Sequence, residues 1–477
     1  MSVTEEIGHD CTTLFQFVSK IVALCDKEVG PQRYEPASQE FLDYLRALGE
    51  ATLTYLERFA ESITTTDAVA LFAHRQRLYN LRSQWNVLHS FVKPTKEADT
   101  LSAPASLISA LANRVSFVAG FNDARFAVFH TDKLNYLHLN KNAIRSRAEA
   151  ITSLISSGPA FPSNLGLIGI PYSQAGSCHL NSLLAHEMGH YVFQERTNRG
   201  ELVNLENSLK TATETALKPI LSSIKPHDVE WCRNRLVSWV QELYCDLFAV
   251  GMVGPTYTFA YLELFDLSLI LDPSGSPLAR ASLFNTTHPA DVFRLREQTR
   301  VLQNLGWWDL VEKTKSHYLR ALEIARSVKD ESLLPPASSD LGKRTLHALL
   351  EITPAIHEAI GKTLLGVDPG TTDFREFEGP IREHLVRGIV PSTVVVGGKR
   401  KYPGSVALLN AAHKMCLESL DELIAGIDDQ DKTSARVRAV WYERVELWIL
   451  KALEDNHLLT REKGSSRYGV VEEKHPR

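Results

Sequence analysis

Two histidines separated by three residues could bind one metal ion together. They are His186 and His190 in the segment LLAHEMGHYVF, and Glu187 directly follows the first of them. On an α-helix, side chains four positions apart project from one face about one turn apart, so both imidazoles can reach the same ion. In this HExxH arrangement, zinc lowers the pKa of a water molecule and the glutamate takes its proton. The spacing therefore predicts a zinc site with His186 and His190 as ligands and Glu187 as the general base.

A catalytic zinc site usually has a third protein ligand, and this chain offers carboxylates on a later helix. The segment WVQELYCDLFAVGMVGP contains Glu242 and Asp246, which lie one helical turn apart among apolar residues. We expect Glu242 to be the third metal ligand and Asp246 to accept the free ring N–H of a zinc-binding histidine. Other candidates for the third ligand lie in polar, loop-like surroundings, which favour solvated surface positions: Glu201, Glu206, Asp228 and Glu230.

These two motifs resemble those of the gluzincin branch of the zincin metallopeptidases, in which HExxH is followed by ExxxD on a later helix. A third segment, THPADVFRLR, resembles the THPxxxxR element of the CAAX-prenyl and HtpX-like membrane peptidases. This resemblance implies that His288 stabilises the developing oxyanion and that Arg294 orients groups near the active site, so both are candidate catalytic residues. A Thr-His-Pro helix start without a catalytic role is the alternative. The resemblance covers roughly residues 120–300, and the chain differs from the membrane peptidases in lacking their spanning helices.

A mainly helical protein is expected to position these residues. Apolar residues recur at helical spacing from residue 1 to about 93, and again over most of the chain after Gly306. The segments Arg125–Thr131 and Leu165–Ile170 have the composition of strands, and a long amphipathic helix is expected from Cys178 to about Arg196. The predicted fold is therefore α+β and predominantly helical. The resemblance adds a zincin-like core, with a small mixed sheet and an active-site helix pair, flanked by helical regions.

The position of the strand Leu165–Ile170 in its sheet is left open by the sequence. An exposed edge strand beside the zinc helix could pair with an extended substrate, and Gly166 and Pro171 fit an edge position. An ordinary core strand is the alternative, because the segment is almost entirely apolar.

Three domains follow from the breaks in the pattern. The Pro- and Ser-containing segment Lys93–Ser106 is a plausible linker. We therefore expect an N-terminal helical region over residues 1–98, a zincin-like metallopeptidase core over residues 99–305 and a C-terminal, mainly helical region over residues 306–477.

Composition excludes several classes of protein. The chain has 477 residues, of which 44% are hydrophobic, and this apolar content excludes a disordered or fibrous protein. Its 52 basic and 57 acidic residues leave a net charge of −5, without the basic excess expected of a nucleic-acid-binding protein. The apolar stretch Leu247–Leu271 is interrupted by glycine, proline and acidic residues, which indicates two buried helices rather than a membrane span.

The first residues and the cysteines predict the location. MSVTEEIGHD lacks the basic region and apolar run of a signal peptide, and none of the six cysteines forms a CxxC pair. We therefore expect free thiols in the reducing cytoplasm. The expected partners are a protein or peptide substrate, with neither nucleic acid nor membrane, and the flanking helices offer surfaces for oligomer formation.

The predicted function is the hydrolysis of peptide bonds in an intracellular protein or peptide by metal-activated water. The alternative is a non-catalytic helical interaction protein with a structural zinc site. Structural zinc sites usually have four protein ligands, often including cysteine, whereas a catalytic site keeps one position open. Cys178, His179 and Cys245 are poorly spaced to complete a tetrahedron with the HExxH histidines, so the motif favours an open site.

Overall fold

The structure of this chain is a computed structural model. It describes residues 3–26, 36–62, 67–100, 105–131, 136–139, 141–162, 164–174, 176–220, 225–264, 288–313, 317–333, 340–418, 420–424 and 435–462. Most of these residues are helical and a few form short strands, so the prediction of a predominantly helical α+β protein is confirmed.

The helices run along the whole described chain. They are α1 (Val3–Asp26), α2 (Pro36–Ser62), α3 (Ala68–Thr100), α4 (Ala105–Val115), α5 (Lys141–Ile155), α6 (Leu184–Asn198), α7 (Val203–Leu217), α8 (Pro226–Val253), α9 (Pro255–Leu264), α10 (Asp291–Asn304), α11 (Trp308–Val311), α12 (His317–Ser327), α13 (Asp340–Thr363), α14 (Thr371–Val386), α15 (Ser405–Glu418), α16 (Leu420–Leu423) and α17 (Ala435–Glu462). The strands are β1 (Arg125–Thr131), β2 (Leu137–Leu139), β3 (Leu165–Pro171), β4 (Val394–Val396) and β5 (Lys399–Lys401).

Contacts divide the chain into two compact units. The first contains Met1–Ala105 and Asp123–Gly176, and the second contains Ser106–Asn122 and Ser177–Arg477. This grouping differs from the predicted boundaries after residues 98 and 305. The strands predicted for the metallopeptidase core group with the N-terminal helices, whereas the C-terminal helices group with the HExxH helix.

Over its described residues, the first unit combines a three-stranded mixed sheet with four helices. Strand β1 pairs in parallel with β3, and β2 pairs with β3 in the antiparallel direction. Helices α2 and α3 pack against β1, and their core includes Phe41 and Trp85, which are fully buried. Strand β3 is therefore the central strand, with both of its edges hydrogen-bonded. The core-strand alternative is confirmed and the exposed-edge alternative is wrong.

The predicted linker Lys93–Ser106 is largely helical. Helix α3 continues through Pro94 as far as Thr100, residues 101–104 lie outside the described chain, and α4 begins at Ala105. Val92 and Thr95 are buried on either side of the proline. Their burial outweighs the loss of one helical hydrogen bond, so a proline signal that usually ends a helix does not end this one.

The second unit is built around α8. This helix packs against α6, α7, α10 and α13, and every residue from Leu243 to Val253 is buried. It is long and apolar enough to cross a membrane by length and composition, but 78% of its most apolar window is buried inside the protein. The burial agrees with the expected buried helix near residues 229–253. The other predicted helix corresponds to α9, and its expected end, residues 265–271, lies outside the described chain.

Candidate metal centre

The HExxH residues lie at the start of α6, within the second unit. A 3₁₀ turn at Leu180–Leu183 leads directly into this helix. Helix α6 is buried on more than one side, rather than amphipathic as predicted, because its first two turns lie among other helices. His186 and His190 lie one turn apart with their ring centroids 4.9 Å from each other. Helical periodicity therefore brings the two imidazoles together, as the spacing predicts.

Gly189 allows α6 to approach α8 closely. A Cβ atom at this position would lie 3.1 Å from Cα and 3.2 Å from Cβ of Cys245. It would also lie 3.2 Å from Cδ1 of Phe248, so most of the surrounding space is already filled. The absence of a side chain at Gly189 therefore permits the helix contact that brings the histidines near α8.

Three potential ligands converge between these helices. Nε2 of His186 lies 3.3 Å from Oε2 of Glu242, and Nε2 of His190 lies 3.5 Å from Oε1 of the same carboxylate. All three donor atoms lie within 4.8 Å of one another. In a tetrahedral zinc site with bonds near 2.05 Å, neighbouring ligand atoms are about 3.3–3.4 Å apart. The buried His186–His190–Glu242 group can therefore hold a metal ion with little rearrangement.

The second nitrogen of each imidazole also lies near a polar group. Nδ1 of His186 is 2.9 Å from Oδ1 of Asp246 and 3.2 Å from the hydroxyl of Tyr257. Nδ1 of His190 is 3.0 Å from the side-chain amide nitrogen of Gln241. Rotation of this amide by 180° would present its oxygen to an Nδ1–H group, an arrangement that leaves Nε2 available to a metal. Asp246 thus lies where the sequence predicts it, against the histidine of the first helical turn.

A buried arginine holds Asp246 in place. Arg294 donates hydrogen bonds from Nε and Nη2 to the two carboxylate oxygens, at 2.6 Å and 2.7 Å. Tyr257 donates another hydrogen bond to Oδ1. Nη2 of Arg294 also lies 3.6 Å from Oε2 of Glu242. This geometry gives Arg294 an orienting position beside both carboxylates.

His288 is the more accessible member of the third motif. Its Nε2 lies 3.3 Å from Oε2 of Glu242, and its side chain is 38% exposed, compared with 4% for Arg294. Partial burial and the positive charge of Arg294 lower the pKa of His288, although Glu242 opposes the effect. The structure therefore brings all three sequence motifs to one place, with His288 on the side open to solvent.

The carboxylates create an environment that favours positive charge. Burial alone would lower the pKa of His186, but hydrogen bonds and attraction to Asp246 and Glu242 raise it to about 10. Burial alone would raise the pKa of Glu242, but His186, His190 and Arg294 lower it to about 2. The pKa of Asp246 is likewise held below its usual range, mainly by Arg294 against the effect of burial. The same field that stabilises a proton on His186 would stabilise a divalent cation.

Glu242 also has unused bonding capacity. Its Oε2 atom is buried and lies 3.3 Å from Nε2 of both His186 and His288, but neither contact has the geometry of a hydrogen bond. A buried carboxylate oxygen is costly without a hydrogen bond or a cation. Two imidazoles and one carboxylate form a donor set that fits zinc and other divalent transition metals.

Glu187 lies in the first turn of α6 and is 7% exposed. Its negative charge contributes to the raised pKa of the Cys245 thiol on α8, after the larger effects of burial and of Glu242. Glu187 thus lies next to His186 in the chain, in the buried part of α6.

The other proposed ligands lie elsewhere. Asp228 accepts a hydrogen bond from the backbone N–H of Lys225 at the start of α8, and Glu201 pairs with Arg196 at 2.7 Å. Glu206 and Glu230 are exposed. In the part of the chain that the structure describes, Glu242 is the carboxylate that joins the two histidines in a potential metal-binding group.

Gln241 is the site residue that the sequence does not reveal. A single glutamine carries no spacing signal, although its position directly before Glu242 places it on the helix that faces His190. Two buried tyrosines, one on α8 and one on α9, have hydroxyl groups that contact polar side chains. The Tyr257 hydroxyl is bonded to Asp246, and the Tyr244 hydroxyl lies 2.7 Å from Oγ1 of Thr363.

No protein-family model, curated protein sequence or solved structure matches this chain. The case for its chemistry therefore depends on the motifs and on the geometry of the His186–His190–Glu242 group.

Proposed function

We propose that this chain is a zinc-dependent metallopeptidase of the gluzincin type, with a zincin-like core, that hydrolyses peptide bonds. The observation that supports this function best is the convergence of His186, His190 and Glu242 at distances suited to a tetrahedral ion. Three protein ligands with one position left for water are typical of catalytic zinc sites.

The donor set favours zinc among the common metals. Two neutral imidazoles and one carboxylate form the ligand set found in many zinc hydrolases, whereas calcium and magnesium prefer oxygen ligands alone. When bound, zinc would act as a Lewis acid, lowering the pKa of a water and polarising the peptide carbonyl. The contacts to Nδ1 of both histidines would fix their rings so that Nε2 faces the ion.

The other side chains of the site would transfer protons, stabilise the oxyanion or position the metal ligands. Glu187 would take a proton from the attacking water and deliver it to the leaving amine. His288, on the solvent side of Glu242, would donate a hydrogen bond to the developing oxyanion. Arg294 would act through Asp246, because its guanidinium is buried against that carboxylate rather than open to a substrate.

The proposed substrate is a protein or peptide in the cytoplasm. All six cysteines are free, which is compatible with a reducing compartment. The near-neutral net charge of −5 favours a polypeptide over a polyanion as the partner.

The test is a measurement of bound metal and peptide hydrolysis in Glu187→Gln and wild-type protein. Glu187→Gln removes the base but leaves all three ligands, so we expect the same zinc content and a rate lower by about 10²–10⁴-fold. The control is Glu230→Gln, an identical substitution at an exposed position, which should retain both properties. Full hydrolysis by purified Glu187→Gln protein would rule out the proposed mechanism.

The non-catalytic alternative has a separate signature. A structural zinc ion would have four protein ligands and no coordinated water. X-ray absorption spectroscopy of the zinc-loaded protein would distinguish the two sites. We expect two nitrogen ligands and at least one non-protein oxygen, and a coordination shell containing sulfur would support the structural alternative.

A further inference from the structure

A second candidate site lies within the second unit, on the face of α10 opposite the one that carries Arg294. It is a pocket of about 310 Å³ whose walls come from α10, α13 and Asp330, which begins a 3₁₀ turn after α12. This volume is large enough for a small metabolite. The lining residues are Arg296, Arg300, Gln303, Asn304, Asp330, Leu350, Thr353, Pro354 and His357.

The pocket is separate from the candidate metal centre. Arg294 and Arg296 are two positions apart on α10, and successive helical residues are rotated by about 100°. Their side chains therefore leave the helix in nearly opposite directions. Arg294 contacts Asp246 and Glu242, whereas Arg296 lines the pocket.

Arg296 lies deep in the pocket wall, with its side chain only 6% exposed. Its Nε donates to Glu297 at 2.9 Å, and its Nη1 donates to Asp330 at 2.6 Å. Its Nη2 donates no hydrogen bond to the described residues. A buried guanidinium that is fixed by two carboxylates and retains N–H groups is suited to binding a further anion.

Arg300 lies one turn further along α10 and is 52% exposed, at the mouth of the pocket. Only its Nη1 is bonded within the described chain, to both oxygens of Glu297. Its Nε and Nη2 groups can therefore donate to a ligand. The two arginines together present a pair of donor groups from one side of one helix.

Of the two acidic partners of these arginines, Asp330 lines the pocket and accepts a hydrogen bond from Nη1 of Arg296, whereas Glu297 is turned away from it. Glu297 is fully buried and is not a lining residue. Its oxygens accept hydrogen bonds from Arg296 and Arg300, and one oxygen lies 2.9 Å from Nε2 of His357. Because these donors surround the carboxylate, it fixes the arginines without offering a binding group to a cation.

We propose that this pocket binds a small anion through a carboxylate or phosphate group. The anion accepts hydrogen bonds from Nη2 of Arg296 and from Nε and Nη2 of Arg300. This inference goes beyond the proposed peptidase activity and does not depend on it. The site is a binding site for a small molecule, and no covalent step is involved.

The experiment is calorimetric titration of the full-length protein with inorganic phosphate and, separately, with citrate. We expect saturable binding of at least one anion, and the stronger of the two identifies the source as a phosphate or a carboxylate compound. Arg300→Gln should weaken that binding at least about tenfold, because the substitution removes a charged hydrogen-bond donor. Arg300→Lys, which keeps the charge, should have a smaller effect.

Two controls make the result decisive. Arg387→Gln removes an exposed arginine directly after α14 that pairs with Glu383, and it should leave anion binding unchanged. His186→Ala should also leave it unchanged, because the metal centre is on the opposite face of α10. Absence of binding to either anion, equal binding by Arg300→Gln and wild type, or loss of binding in His186→Ala would overturn the proposal. Circular dichroism would establish that each variant is folded.

Discussion

Two pairs of histidines lie close together with carboxylates inside the second unit, and they are arranged differently. The first pair is His186 and His190, in the candidate metal centre. The second pair is His179 and His413, which stack with ring centroids 4.4 Å apart and an angle of 23° between the rings. We call the second cluster the α17 network, because that helix contributes two of its members. Its residues are His179, Glu263, His413, Tyr442 and Glu446.

Each histidine of the α17 network contacts a different glutamate. Nε2 of His413 lies 3.0 Å from Oε1 of Glu263, and Nδ1 of His179 lies 3.3 Å from Oε1 of Glu446. Nδ1 of His179 is also 3.2 Å from the hydroxyl of Tyr442, which donates to Glu263. These contacts connect the residues in a chain rather than around one point. Within the described residues, the network does not contain three potential ligands within 4.8 Å.

The difference shows that the elements carrying the residues, rather than their types, determine whether a metal can bind. His186 and His190 come from one helix at a spacing of four residues, so both Nε2 atoms can face Glu242 on α8. His179 precedes the 3₁₀ turn and His413 lies on α15, so their rings meet face to face. The nitrogen atoms of two stacked rings do not point toward one common position where an ion could lie. The α17 network is therefore suited to joining helices.

The two clusters are connected through the start of α9. Oγ1 of Thr256 lies 2.9 Å from Nδ1 of His413, and the next residue, Tyr257, contacts Asp246. Asn410 on α15 also accepts a hydrogen bond from the backbone N–H of Thr256 at 2.9 Å. The C-terminal helices thus help to fix the residue that holds Asp246, which gives part of the predicted C-terminal region a structural role.

Replacement of Glu242, the carboxylate that both His186 and His190 face, should distinguish the candidate metal centre from the α17 network most strongly. In Glu242→Gln, the neutral amide is a poor metal ligand, so we expect the zinc content to fall from about one ion per chain to near zero. Hydrolysis should be lost with the metal. Metal analysis by mass spectrometry after dialysis, together with a peptide hydrolysis assay, measures both effects.

The matched substitution in the α17 network is Glu446→Gln. It should lower the free energy of unfolding by about 1–3 kcal/mol, because Ser177 and the backbone of His179 both donate to this carboxylate. The zinc content of folded Glu446→Gln protein should remain that of wild type. Stoichiometric zinc in Glu242→Gln would remove the distinction between the two clusters.

A smaller effect is expected from the residue behind the first histidine. Asp246→Asn removes the negative charge beside Nδ1 of His186 but leaves the three ligands in place. Substitution of such a carboxylate typically lowers metal affinity about 10–100-fold. Competition with a fluorescent zinc chelator measures the change. The variant should also be less stable, since the buried guanidinium of Arg294 loses its charged partner.

The control for this substitution is Asp330→Asn. Asp330 is also bonded to an arginine of α10, Arg296, but its side chain is 56% exposed and lies away from the metal ligands. We expect unchanged zinc affinity. Equal losses of affinity in both variants would assign the effect to α10 as a whole rather than to Asp246.

The sequence predicts the metal centre better than it predicts the surrounding fold. Helical spacing identifies His186, His190, Glu242 and Asp246, because all four depend on local geometry within two helices. The contact of His190 with Gln241 depends on how the two helices approach each other, which no spacing in the sequence encodes.

The sequence does not determine whether β3 is an edge strand or a core strand of its sheet, and the reason is different. Its neighbour β2 has only three residues, too few for an alternating pattern to be recognised. The continuation of α3 through Pro94 was missed because it depends on burial against other elements. Long-range packing thus determines the features that the sequence left open or predicted wrongly.

The pH dependence of stability should reveal the α17 network in metal-free protein. Burial lowers the pKa of His413 below its usual 6.5, and the nearby His179 lowers it further. Below pH 6.5 the unfolded chain therefore binds a proton that the folded chain does not, and stability falls as the pH falls. At pH 5.5 this contribution is at most about 1.4 kcal/mol.

The glutamates of the network act in a lower pH range. Burial alone would raise the pKa values of Glu263 and Glu446. Their hydrogen bonds to His413 and His179 lower these values below the usual 4.5. Their contribution to stability is complete above pH 4.5 and is lost as the pH falls through the lower, folded values.

Urea unfolding at pH 7.5 and 5.5, with a chelator present, measures the histidine effect. The raised pKa of His186 has the opposite effect between these pH values in both proteins, so the effect of His413 is measured as a difference. Stability at pH 5.5 relative to pH 7.5 should be higher in His413→Gln than in wild type. The control His227→Gln, at an exposed histidine, should behave as wild type does. An unchanged pH dependence in His413→Gln would show that this histidine is not held neutral.

The smallest expected effect concerns the helix contact on which the metal centre depends. In Gly189→Ala, the new Cβ would lie 3.1 Å from Cα of Cys245, so α6 and α8 must separate by a few tenths of an ångström. Alanine favours a helix over glycine by about 1 kcal/mol, and this gain opposes the strain. Gly361 on α13 is the matched control, because a Cβ there meets nothing within 4 Å.

We expect Gly361→Ala to raise the free energy of unfolding by about 0.5–1 kcal/mol, and Gly189→Ala to show no such gain. Zinc affinity should fall only in Gly189→Ala, by about threefold to tenfold, because the two histidines move with α6 away from Glu242 on α8. Thermal unfolding of metal-free protein and chelator competition measure the two effects separately. Equal stabilisation by both alanines, with unchanged zinc affinity, would mean that the approach of α6 to α8 does not control the metal centre. Because the α17 network has no residue on α6, its pH dependence should be the same in both variants.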